Sequence, residues 1–164
     1  MKLLLTLVIF FCISLAAFGQ QYPDSGFTNK AEAKNLMVNG KKEGKWIEYY
    51  IDGADIDLTT DTTNSVFFVL TVYKDGLEVG MRRWYYKSGK IDAIITYKEG
   101  RRDGIYKDYY ENGKLKALDT YIDGRLNGVS KSYYESGKLK GKIVYIDDTV
   151  QEWTNYDANG NEIK

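Results

Sequence analysis

The sequence predicts an all-β protein, an elongated antiparallel meander of 24-residue β-hairpin repeats laid out as a single-layer twisted sheet. Three observations predict it. Tyr73, Tyr97, Tyr121 and Tyr145 recur every 24 residues, and so do the series Gly76, Gly100, Gly124 and Gly80, Gly104, Gly128. Glycine turns from Gly76 to Gly137 alternate at intervals of 13 and 11 residues. Each interval holds one strand, so a repeat holds two. Beyond residue 19 no apolar stripe of helical period runs along the chain, apart from the short stretch Asn29 to Leu36.

Residues 1–19 read as a cleavable signal peptide. Met1-Lys2 precedes the apolar run Leu3 to Phe11, and Ala17-Phe18-Gly19 supplies small residues at the cleavage end. The apolar stretch is shorter than the ~20 residues a membrane-spanning helix needs, so no transmembrane segment is expected in the mature chain. A secreted or periplasmic location follows as an expectation. Residues 20–37 form an N-terminal segment that caps the repeat domain, which runs over 38–164.

The first copy, 38–72, carries Gly40, Gly44 and Tyr49-Tyr50, 36 residues before their counterparts, so it contains a 12-residue insertion placed at about 54–65. Its last residues, Val66 to Val72, are apolar without alternation and predict a strand covered on both faces, with the N-terminal segment or the insertion over it. Regular copies follow at 73–96, 97–120 and 121–144. The last, 145–164, has Asp148 where the others carry glycine. Atypical end units are expected in an array whose outer repeats must meet water.

Within a copy, Asn112-Gly113 predicts a type I′ hairpin turn. That turn pairs Glu111 with Lys114, Tyr110 with Leu115, Tyr109 with Lys116, Asp108 with Ala117 and Lys107 with Leu118. The small residues Ala93, Ala117 and Gly141 recur at one position, as expected where a large ring crosses from the neighbouring strand.

Composition narrows the chemistry. The 23 Lys and Arg balance 23 Asp and Glu, which argues against a nucleic-acid partner. There is no His, and the single cysteine, Cys12, lies in the signal segment. After cleavage, histidine-dependent catalytic couples, thiol nucleophiles and Cys/His metal sites are excluded by inventory, and the chain reads as a non-enzyme without cofactor or metal. Asp55, Asp57 and Asp61 offer hard oxygen ligands but lack the glycine and terminal glutamate of a calcium loop.

The unit Tyr-Tyr-x-Asn/Ser-Gly-Lys-Leu/Ile, as in Tyr109 to Leu115, resembles the MORN-repeat variant of bacterial YwqK-type proteins, over about Val38 to Gly160. The resemblance implies an elongated antiparallel sheet that binds proteins or lipid headgroups, and an antitoxin or immunity-like partnership. From the residues themselves, the candidate partner-binding set is Tyr85, Tyr86, Tyr109, Tyr110, Tyr133 and Tyr134, with Arg82, Arg83, Arg101 and Arg102 in a basic band. Residues 73–144 carry a net charge of +6, while 145–164 carry −4. A protein partner is the leading expectation, since tyrosine offers large contact area at low entropic cost. Anionic lipid headgroups or glycans are the alternative.

Overall fold

The computed structural model describes residues 27–50 and 67–163. The expected signal segment 1–19 and the expected insertion at 54–65, with Asp55, Asp57 and Asp61, lie outside the described residues. A single 3-10 turn, Lys30–Glu32, stands in the stretch with helical spacing, its N-terminus capped by the Asn29 side chain, which accepts from the Ala31 N–H at 3.0 Å. Every other regular element among the described residues is a strand. They are β1 Leu36–Val38, β2 Lys41–Tyr50, β3 Phe67–Lys74, β4 Leu77–Tyr86, β5 Ile91–Lys98, β6 Arg101–Arg102, β7 Gly104–Tyr109, β8 Leu115–Ile122, β9 Arg125–Leu126, β10 Gly128–Tyr133, β11 Leu139–Ile146, β12 Thr149–Tyr156 and β13 Glu162–Ile163.

They pair antiparallel in one open sheet of order β1-β2-β3-β4-β5-β7-β8-β10-β11-β12-β13, with β6 also on β5 and β9 also on β8. The order follows the chain, as predicted for a meander. β6 and β7 form one path interrupted at Asp103, and β9 and β10 are interrupted likewise at Asn127, each just before a glycine with positive φ (Gly104 125°, Gly128 102°).

Turn chemistry is distributed differently from the sequence expectation. The type I′ turns, with positive φ at both central residues, lie near the start of each copy: Asp75-Gly76 (54° and 84°), Glu99-Gly100 (51° and 77°) and Asp123-Gly124 (48° and 89°). Asp147-Asp148 completes the series without glycine (46° and 64°). The Asp148 side chain accepts the Leu126 N–H at 2.7 Å, which offsets the cost of its left-handed backbone.

The tip at Asn112-Gly113 is instead a three-residue loop. Only Gly113 has positive φ (84°); its N–H donates to the Tyr110 carbonyl at 2.7 Å, and the Tyr110 N–H donates to the Lys114 carbonyl at 2.8 Å. Asn112 keeps an ordinary φ because its side chain accepts the Lys114 N–H at 2.9 Å. Tyr109 therefore opposes Leu115, where Lys116 was expected, and Tyr110 and Glu111 lose their expected partners. A bulge at Lys116 absorbs the offset, so Asp108–Ala117 and Lys107–Leu118 pair as predicted. Matching bulges fall at Asp92 and Lys140.

The core sits at the N-terminal end of the sheet. Phe27, 1% exposed, packs with Leu70, Val72 and Tyr85, and Ala33, Ile47, Phe68, Val79 and Ile91 surround them. Phe68 and Tyr85 stack at 4.7 Å between centroids. The Asn35 side chain bonds both the N–H and the carbonyl of Ile47, at 2.8 and 2.9 Å, and ties the N-terminal segment to β2. Val69 to Tyr73 are buried, as the unalternating apolar run predicts. Beyond β5 this second layer ends and the sheet is one layer thick.

Candidate binding surface

Cross-strand pairing defines two faces. On the first, one row runs Glu48, Val69, Trp84, Ala93, Asp108, Ala117, Ser132, Gly141, Asn155. On the second, the row reads Ile47, Leu70, Arg83, Ile94, Lys107, Leu118, Lys131, Lys142, Thr154. Of the small residues on the first row, only Ala93 lies opposite a large ring, Trp84. Ala117 is flanked by Asp108 and Ser132, and Gly141 by Ser132 and Asn155, which corrects the expectation of a ring at every copy.

The tyrosine pairs are divided between these faces. Tyr85, first of its pair, is buried in the core on the second face. The second tyrosine of each pair links one repeat to the next: Tyr86 OH donates to the Tyr109 carbonyl at 2.8 Å, Tyr110 OH to Tyr133 at 2.7 Å and Tyr134 OH to Tyr156 at 2.8 Å. The lysine of each tip repeats the pattern, with Lys90, Lys114 and Lys138 donating to the carbonyls of Glu111, Ser136 and Asn159. Much of the Tyr-Tyr-x-x-Gly-Lys motif is therefore spent on holding repeats together. Tyr109 and Tyr133 are half-buried, with their hydroxyls outside this ladder.

The four arginines do not form one band. Arg83 is 5% exposed, and its guanidinium donates to the Phe27 carbonyl at 2.9 Å. Burial pulls its pKa down. Arg82 lies on the opposite face, paired with Glu78, 3.3 Å from Tyr50 OH and 3.8 Å from buried Glu48. Lys42 also pairs with Glu48 and stands 4.9 Å from the Trp46 ring centroid and 4.8 Å from that of Tyr73. Burial works against the Arg82 charge, but Glu78 and neighbouring tyrosines outweigh it and raise its pKa. The same burial, then Glu48, pushes the Tyr50 phenol up to about 12. Only Arg101 and Arg102 of the expected band are exposed. Adjacent basic residues on a strand point to opposite faces, and the more N-terminal pair lies where the sheet is covered.

Sequence reasoning missed a cleft on the first face. Tyr50, Phe67, Trp84 and Tyr97 wall a volume of about 430 Å³, with Arg82, Asp92 and Arg102 at its polar positions. Arg82 lies 4.7 Å over the Trp84 ring and orients the indole. Arg102 donates to Tyr121 OH at 3.2 Å, and no carboxylate of the described residues stands within ion-pair distance of it. Burial, then the like charge of Asp108, raises the Asp92 pKa. The available signal was a departure from the repeat: Trp84 stands where the next copies carry Asp108 and Ser132. Among the described residues no cluster of three or more Asp, Glu, Cys or His is placed to hold a metal, and no helix is long and apolar enough to cross a membrane.

This ladder of hairpins defines a β-repeat protein of nearest-neighbour units. Three consecutive segments, 78–99, 102–123 and 126–147, match the family model of the MORN repeat variant, beginning at 24-residue steps as the tyrosine and glycine series do. A search of curated proteins returns no match to the chain.

Proposed function

We propose that this protein is a secreted or periplasmic, non-enzymatic repeat scaffold that binds a protein partner along its sheet, in the antitoxin or immunity-like manner of the YwqK type. The observation that carries the reading is the economy of the repeat. Its conserved-spacing side chains join neighbouring units, and the product is a long open surface whose exposed positions differ from copy to copy. The absence of histidine and the position of the lone Cys12 in the signal segment support the non-enzymatic part. Affinity capture of the processed protein from its own secretome tests it. A stoichiometric protein partner, lost when Tyr109 and Tyr133 become Ala, is the expected result; recovery of no protein partner counts against it.

A second reading, binding to anionic lipid headgroups, is favoured by one feature. Lys107, Lys131 and Lys142 share the row on the second face, and Ile105 and Val129 are exposed on the same face, with Ile105 52% exposed. Basic side chains interleaved with apolar ones suit a negatively charged bilayer surface. Sedimentation with anionic vesicles that is lost on changing these three lysines to Glu supports it, and no sedimentation at low salt opposes it.

A further inference from the structure

We infer that the Trp84 cleft is a binding site for an acidic sugar unit, a pyranose ring bearing a carboxylate, within a glycan. The inference does not depend on the protein-scaffold reading. The cleft lies on the face opposite the lysine row, so it is also distinct from the lipid reading.

Three complementary features meet in the cleft. The first is aromatic surface: Trp84, Tyr97, Phe67 and Tyr50 line one volume of about 430 Å³. The electron-rich face of an aromatic ring attracts the weakly positive C–H groups on the flat side of a pyranose. The second is Arg102. It is exposed, and its hydrogen bonds go to phenol hydroxyls, those of Tyr97, its pairing partner on β5 in the same wall, and of Tyr121. A guanidinium has five N–H donors, so Arg102 retains donors for a carboxylate, which it can receive in a bidentate way. The third is Asp92, the bulge residue of its hairpin, which interacts with the Tyr86 hydroxyl and keeps further carboxylate lone pairs as acceptors for sugar hydroxyls.

This combination selects among ligands. An acidic peptide lacks the row of hydroxyl donors that the remaining lone pairs of Asp92 can accept, and a neutral sugar brings no carboxylate to Arg102, which has no ion-pair partner among the described residues. A uronic or sialic unit carries the apolar face, the hydroxyls and the single negative charge together. The first face continues past the cleft into a smaller groove of about 150 Å³ lined by Asp119, Ser130, Lys131, Ser132, Tyr145 and Asn155. Hydroxyl, carboxylate and amide groups there extend the same kind of surface to further sugar units, so the ligand is a chain rather than a monosaccharide.

Titration of the full protein with trigalacturonic acid and with a sialyl trisaccharide, followed by tryptophan fluorescence and calorimetry, tests this. Cellotriose is the neutral control. The expected result is binding of one acidic trisaccharide with Kd below about 1 mM, at least about tenfold weaker for cellotriose. Arg102→Ala should weaken it by a similar factor, Trp84→Phe should reduce the fluorescence response, and Lys107→Ala on the opposite face, outside both the cleft and the groove, should leave it unchanged. No binding of either acidic sugar at about 10 mM, equal affinity for cellotriose, or equal loss in Lys107→Ala would overturn the inference.

Discussion

The hydroxyl of Tyr86 donates to the carbonyl of Tyr109, 23 residues further on, at 2.8 Å. The same bond recurs from Tyr110 to Tyr133 and from Tyr134 to Tyr156. A side chain that is invariant in the repeat is thus the rivet between copies, while the tyrosine before it faces the other way.

Tyr110→Phe should lower stability by about 1 kcal/mol, because it removes the donor to the part-buried Tyr133 carbonyl while keeping the ring. Tyr109→Phe should cost less than half of that. Urea denaturation of the two variants checks the difference; equal costs would remove the rivet role.

Phe27→Ala should cost about 3–4 kcal/mol, since Phe27 is 1% exposed and fills the second layer over Leu70 and Tyr85. Loss of this ring also leaves Phe68 and Tyr85 partly uncovered. Denaturation midpoints and dye binding to exposed apolar surface report both effects.

Gly113→Ala isolates a backbone cost. Gly113 has φ 84°, and a Cβ there meets nothing within 4 Å. A loss of about 1 kcal/mol is expected from the left-handed conformation alone. Gly113→Val should cost more, because a β-branched residue resists that region further. Thermal unfolding of both variants makes the comparison.

Asp92→Asn should stabilise the protein at neutral pH. Burial, then Asp108, raises the Asp92 pKa in the folded state above its ordinary value of 3.8. The contribution of the protonated acid to stability is complete below the unfolded pKa and is lost as pH rises through the raised folded value. The advantage of Asn therefore grows with pH and closes below about pH 4. Urea midpoints of both proteins across pH 3.5–7 measure it.

Deleting 97–120 should leave a folded, shorter sheet. The substantial contacts run only between sheet neighbours, and the deletion joins Thr96 to Tyr121 in the frame of the repeat. A retained β-type circular dichroism spectrum with a smaller urea m-value is expected. Complete loss of the spectrum would contradict nearest-neighbour stability.

How much of this was legible in the chain depends on what the copies share. The tyrosine and glycine series contained the two-strand unit and the meander, because turn glycines and alternation act within a few residues of one another. Lys107–Leu118 and Asp108–Ala117 were correct in register even though the turn was not, because the bulge at Lys116 compensates for the longer tip. The turn type itself escaped. Asn112 has two ways to turn, and the bond from Lys114 N–H to its side chain selects the one with ordinary φ.

By itself the sequence determined the period, the strand count of each repeat, the face-to-face alternation of Tyr85 with Tyr86 and the apolar strand through Phe67 to Val72. All of these depend on local spacing. The tertiary structure alone decided that Arg83 is buried and Arg82 half-buried on opposite faces, that Phe27 covers one end of the sheet, and that Trp84, Tyr97, Tyr50 and Arg102 share a cleft. Those neighbours come from different copies, at positions where the repeat is not obeyed. Pairing across strands, and not spacing along the chain, brings them together.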